Sequence, residues 1–141
     1  DHVGPRPFGV DDVTEPRLIT WAAAVPDLDL WLAWCTARKL DPGPAFTMQR
    51  TTPAGDVLHW RLTPPPGDGD GVVPFLIEWP GATPATTAAP GVELFGFELS
   101  HPDLAVAGRL QEYALPYPVN RSAASLRAVL LTPAGMVTLE S

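Results

Sequence analysis

Between residues 46 and 80, apolar and polar side chains alternate with the period of two that a pleated strand imposes. Phe46–Thr51, Val57–Thr63 and Val73–Trp79 read as three strands. PAGD turns the chain between the first two, and PPPGDGDG, residues 64–71, makes a longer exposed loop before the third. Upstream, Arg17–Val25 (RLITWAAAV) is a nearly continuous apolar run and reads as a buried strand. Between that run and the hairpin the period changes to 3.6. Pro26 at the first helical position, with Asp27 and Asp29 in the first turn, predicts a helix over residues 26–40. Leu30, Trp31, Trp34, Cys35 and Arg38 recur on one face, expected to be the buried one, and Asp41-Pro-Gly-Pro ends the helix.

The pattern then restarts. GATPATTAAPG, residues 81–91, has no apolar period and reads as a linker. Glu93–Leu99 alternates as a strand. Ser100 or His101 caps a second helix, Pro102 and Asp103 open it, and it runs to about Leu115 with Leu104, Ala107, Leu110 and Ala114 as its buried stripe. Strands follow at Tyr117–Arg121, Leu126–Thr132 and Met136–Glu140. The organisation is therefore an arm over 1–16, a βαβββ module over 17–80, the linker, and a second, shorter βαβββ module over 92–141. The shared element order, with Pro26-Asp27-Leu28 matched by Pro102-Asp103-Leu104, marks an internal repeat. The fold class is α+β, with paired βαβββ modules and curved mixed sheets.

A sheet with a helix on one face leaves its other face to be covered or solvated, and two such units side by side enclose a concavity. On alternation, Leu58, Trp60 and Leu62 should lie under the helix. His59 and Arg61 should look into the concavity, with Arg50 and Glu78 beside them. Like charges directly opposed across strands are unfavourable. If Arg50 faces Arg61, an anion between them would be held by two guanidinium forks. Trp79 would line the mouth. The bland alternatives are that the arginines splay into water or that one pairs with Glu78, and that His59 is a half-exposed strand residue.

The formal charge of −7, from 16 acids and 9 bases, argues against nucleic acid and against an anionic membrane surface as partners. A single cysteine, Cys35, excludes an internal disulfide and fits a reducing, cytoplasmic home; it reads as inert packing. No apolar run reaches the length of a membrane span. The abundance of proline, alanine and glycine is typical of bacterial genes rich in G and C.

The unit order and ITWAAAVPDLD resemble the vicinal oxygen chelate superfamily. MQRTTPAGDVLHWRLT, VVPFLIEWPG and LFGFELSHPDL, together with RPFG, resemble more specifically the glyoxalase-like domain family. The resemblance implies a further module before the equivalent of RPFG, so an N-terminal module is expected to be missing from this chain. It also implies a divalent ion held by a first-strand His and a last-strand Glu. Here the first-strand positions fall at Thr20 and Gly96, and the last strands offer Glu78 and Glu140. No complete ion site is therefore expected within the chain. A Zn, Ni, Mn or Fe ion would be completed by the missing module or a partner subunit, with Glu78 the best local ligand.

Three functions remain open. The first is binding of a small, anionic molecule near Arg50, His59, Arg61 and Trp79. The second is a metal-dependent lyase, isomerase or dioxygenase with Glu78 and His59 in catalytic roles. The third is a non-catalytic interaction module, dimerising through its edges.

Overall fold

Both helices start at the same tripeptide, and the aspartate is the cap. Asp27 and Asp103 have extended backbones, and their carboxylates accept from Leu30 N and Ala105 N, satisfying donors that a helix start leaves orphaned. Helix α1 therefore spans Leu28–Ala37 and α2 spans Leu104–Glu112, with Pro26 and Pro102 outside rather than at the first helical position. The computed structural model describes residues 7–67, 70–86, 88, 90–113, 115 and 117–141.

Helix α1 ends earlier than its sequence suggests. Lys39 takes a left-handed conformation (φ 59°), and the Lys39 and Leu40 N–H groups return to the Thr36 and Cys35 carbonyls at 3.0 Å each. That pair of bonds closes the helix before Asp41-Pro-Gly-Pro is reached. The buried stripe also differs. Leu28 and Cys35 are fully buried, whereas Leu30 is 67% exposed and Arg38 lies in solvent over the Trp34 ring. In α2 the inward residues are Val106 and Leu110, continued by Tyr113, while Leu104 is exposed; Ala114 lies outside the described residues.

The strands are β1 (Ala22–Ala24), β2 (Phe46–Thr51), β3 (Val57–Leu62), β4 (Phe75–Glu78), β5 (Glu93–Ser100), β6 (Val119–Asn120), β7 (Ser125–Thr132) and β8 (Gly135–Glu140). Element order is thus βαβββ twice, an α+β fold. The described chain forms two compact units. One comprises residues 22–66 and 74–90, with the sheet β1-β4-β3-β2, in which β1 runs parallel to β4. Its core gathers Leu28, Cys35, Leu62, Leu76 and Thr63, whose hydroxyl accepts from Leu76 N at 3.0 Å.

The other unit holds the sheet β6-β5-β7-β8, with β6 parallel to β5 and a bulge between Leu94 and Gly96. It takes the described residues of Asp1–Trp21 and Gly67–Val73 as well as Gly91–Ser141. The segments 17–21 and 67–73, expected in the first module, therefore group with this second unit. Leu99, Leu110 and Leu126 form its fully buried centre, and Trp21, Phe97 and Tyr117 pack edge to face with centroids 5.1–5.6 Å apart. The Trp21 indole N–H donates to Val72 O at 2.8 Å.

Two expectations are corrected here. Arg17–Val25 is not one buried strand: only Ala22–Ala24 pairs in the first sheet, while Leu18 N donates to Glu140 O in the second unit at 2.8 Å. A continuous apolar run cannot show that only three of its residues pair in a sheet, while Leu18 bonds within the other unit. The internal repeat likewise holds in element order but not in topology. The first strand of one unit is an edge, and the first strand of the other is central, between β6 and β7.

Candidate functional site

Arg61 stands opposite Glu78 in the β3–β4 ladder. Its Nη1 donates to Glu78 Oε2 at 3.2 Å and to Asp29 Oδ2 at 2.9 Å, while Nη2 donates to Asp29 Oδ1. The fork on Asp29 is bidentate, the stronger class of ion-pair hydrogen bond. Hydrogen bonding from Arg61 holds the Asp29 carboxyl below the usual carboxylate range, and the bond to Asp29 raises the Arg61 guanidinium. Asp29 belongs to the first turn of α1, so the helix begins on the Arg61 side of the sheet. Arg61, expected to turn away from the helix, is instead tied to its first turn, while Leu58 and Leu62 are buried.

Arg50 is on the other face. Pairing runs Thr47 to Arg61, Gln49 to His59 and Arg50 to Leu58. Directly opposed residues of an antiparallel pair point the same way. Arg50 therefore shares a face with Leu58 and Trp60, and it does not oppose Arg61. The turn sets this register: Gly55 N returns to Thr52 O and Thr52 N to Asp56 O, so Thr51 and Val57 are the first pair. An odd slip in that pairing moves every side chain to the opposite face.

The Arg50 face carries an aromatic platform. Trp60 and Trp79 sit with centroids 5.2 Å apart and planes inclined by 35°, and Met48 lies opposite Trp60. Both indoles are half-buried, whereas Met48 and Arg50 are exposed. Arg50 lies diagonal to Trp60, a spacing of about 7 Å between backbones, within reach of both side chains. Among the described residues, no carboxylate pairs with Arg50.

The other expected residues have different surroundings. His59 is exposed beside Gln49 on the Arg61 side. The Glu78 side chain is 14% exposed and engaged by Arg61. His101 is buried: its Nδ1 accepts from Asp103 N at 3.0 Å, and its Nε2 lies 3.7 Å from Asp70 Oδ2. It shapes the entry to α2, but the N-cap is Asp103. Burial pushes the Cys35 thiol up. The structure thus brings Arg61 to Glu78 and Trp79 to Trp60, and separates Arg50 from His59 and Arg61. The sequence reading overlooked Asp29 as a partner, although its place in the first turn of α1 was visible, and it assigned Trp60 to the core.

Among the described residues, the donors that the resemblance implies do not come together. Thr20 Oγ1 is buried without a partner, but Gly96 has no side chain. Glu78 is held by Arg61, and Glu140 by Arg127 Nε at 3.3 Å. Among the described residues, no group of three or more His, Cys, Asp or Glu side chains could hold an ion. These residues do not fit a complete ion site, which requires three or four converging ligands. A groove of about 540 Å³ in the second unit is lined by Asp12, Glu15 and Glu140 against the single base Arg17, an acidic setting unlike that of Arg50. No helix among the described residues is long and apolar enough to cross a membrane.

Two βαβββ units with mixed four-stranded sheets define an α+β protein of the glyoxalase-like class. The glyoxalase-like domain family matches residues 1–114, and the chain belongs to that family. Strands β6, β7 and β8 lie beyond the matched residues. No curated protein and no solved structure matches the chain.

Proposed function

We propose that this glyoxalase-like protein binds a small, planar, anionic molecule on the sheet face that carries Arg50, Met48, Trp60 and Trp79. The observation that supports this most directly is Arg50, without an acidic partner among the described residues, on the same face as the paired indoles. The rings would stack on a planar ligand, and the guanidinium fork would take its carboxylate. Arg61, already engaged by Asp29 and Glu78, contributes little to binding on this reading. Trp79 is common to this proposal and to the sequence-based one; Arg50 keeps its role, while His59 and Arg61 give theirs up to Trp60.

The test is a titration with benzoate and larger aromatic carboxylates, followed by tryptophan fluorescence and by ligand-dependent melting. Arg50→Ala should weaken binding by about tenfold or more, the loss expected for a charge-assisted hydrogen bond. Arg61→Ala should leave affinity within about twofold, on the same scale. Failure of every aromatic carboxylate to perturb fluorescence or melting would sink the proposal. A melting rise with Mn²⁺, Ni²⁺ or Zn²⁺ that disappears in Glu78→Gln would favour the metal-dependent lyase, isomerase or dioxygenase instead.

A further inference from the structure

Helix α1 is apolar nearly all round: of LDLWLAWCTA, only Asp29 and Thr36 are polar. A helix of that kind is ordinarily buried on every side. Here Leu28 and Cys35 point inward, and a second face is left open. Leu30 is 67% exposed, and Leu30, Trp31 and Trp34 line an apolar notch of about 120 Å³. Trp31 and Trp34 meet edge to face, with centroids 5.1 Å apart and planes inclined by 61°. This face carries most of the residues that the 3.6 period marks for burial.

Its two ends carry opposite charges. Asp27, Leu30, Trp34 and Arg38 fall at i, i+3, i+7 and i+11, a row along one side of the helix about 16 Å long. Asp27 caps the N-terminal end, and the Arg38 guanidinium lies 4.0 Å above the Trp34 ring at the C-terminal end. Among the described residues, neither has an ion-pair partner. The order along the row is acid, leucine, tryptophan, base. Turned end for end, it is complementary to itself: Asp27 meets Arg38, and Leu30 meets Trp34.

We infer that this face docks a second copy of the chain, with the two α1 helices antiparallel about a two-fold axis. Leu30 of each copy enters the Trp31–Trp34 notch of the other, and Asp27 pairs with Arg38 at both ends. Such an interface is isologous, so one patch serves both sides. Antiparallel helices also set each macrodipole against its opposite. Tryptophan, here half-buried, and exposed arginine are residue types that concentrate binding energy at interfaces. A ten-residue helix offers less area than a strong interface needs, so the dimer is weak, with a dissociation constant on the order of 100 μM. The inference does not depend on the ligand proposed for the Arg50 face.

Sedimentation equilibrium on the whole chain, loaded from about 1 μM to about 1 mM, tests it across the range of weak association. Wild type should pass from monomer to dimer. Leu30→Glu and Arg38→Glu should each raise the dissociation constant by about tenfold or more with unchanged circular dichroism, since both residues are exposed. Leu104→Glu, at the equally exposed first residue of α2, should leave the dimer intact. A chain that stays monomeric throughout overturns the inference and leaves the face to a different partner. A dimer that survives Leu30→Glu overturns it as well, because the contact then lies on another surface.

Discussion

Arg61 and Arg127 hold the same place in their two sheets. Each stands opposite the glutamate of the fourth strand, Glu78 or Glu140, and each binds a second acid, Asp29 or Glu98. The likeness stops at burial. Arg61 and Glu78 are 29% and 14% exposed, whereas Arg127, Glu98 and Glu140 run from 38% to 66%. Exposed pairs contribute little to stability.

A pH prediction comes instead from the bidentate fork on Asp29, a side chain 72% exposed, so the effect is small. The Asp29 carboxyl titrates below its ordinary value because Arg61 donates to it. A depressed carboxyl contributes stability that is fully present above its unfolded value and lost as the pH falls through the folded value. Asp29→Asn should therefore lower the melting temperature slightly at neutral pH, an effect reduced by solvent screening, and make no difference once the pH is well below the ordinary carboxyl range, about 4. Glu98→Gln should change melting little at any pH. Melting curves between neutral pH and strong acid, wild type against the two variants, decide the matter.

The cap assignment separates two neighbours. Asp103→Ala removes the acceptor for Ala105 N and should cost about 1 kcal/mol. Pro102 lies before the cap, so Pro102→Ala should cost less than about 0.5 kcal/mol. Urea unfolding of both variants measures the contrast; equal losses would mean that proline, not aspartate, sets the helix start.

Leucine truncation distinguishes the inward face of α1 from its open one. Leu28 is fully buried, and Leu28→Ala should cost about 2–5 kcal/mol through lost contacts and a residual cavity. Leu30→Ala, at an exposed site, should stay within about 0.5 kcal/mol. Denaturant midpoints measured at low protein concentration, where self-association does not contribute, make the comparison clean.

Gly71 is irreplaceable for two reasons at once. Its φ is 78°, and a Cβ there would sit 2.1 Å from the Ile19 carbonyl oxygen. Gly71→Ala should destabilise by about 2 kcal/mol or more, combining left-handed strain with a backbone clash. Gly81→Ala, where a Cβ meets nothing within 4 Å, is the control and should be nearly neutral. Thermal melting of the two variants reads the difference directly.

How far these features could be read in advance depends on the range of the interaction behind each. Asp27 and Asp103 act on a backbone N–H two or three residues away, so the helix starts were visible to within a turn. The Phe46–Thr51 strand emerged with the bounds its alternation gave. The face of Arg50 did not, because it depends on the count of residues in the Thr52–Asp56 turn, and one residue of error exchanges the faces. Asp29 and Arg61 are 32 residues apart, and no local period connects them. The same is true of Leu18 and Glu140, whose bond divides a run that looked like one strand. The open face of α1 differs for another reason: its apolar period is real, but the described residues leave it open.

The bond from Leu18 to Glu140 also bears on the order in which the protein is made. The residues of the β1–β4 sheet lie between 22 and 78, so they leave the ribosome well before the last strand does. The second unit joins residues near 20, near 70 and beyond 91, and its outer strand β8 is the last of these strands to be translated. Trp21 and Leu18 must wait for partners more than 50 and 120 residues downstream, respectively. During synthesis the first sheet can assemble while the segment just before it still lacks its partners. Long-range closure of this kind is slow, and it leaves apolar surface exposed in the interval. Tryptophan burial at Trp21 should accordingly be among the last events of folding, a late step written into the chain by one apolar segment divided between two units.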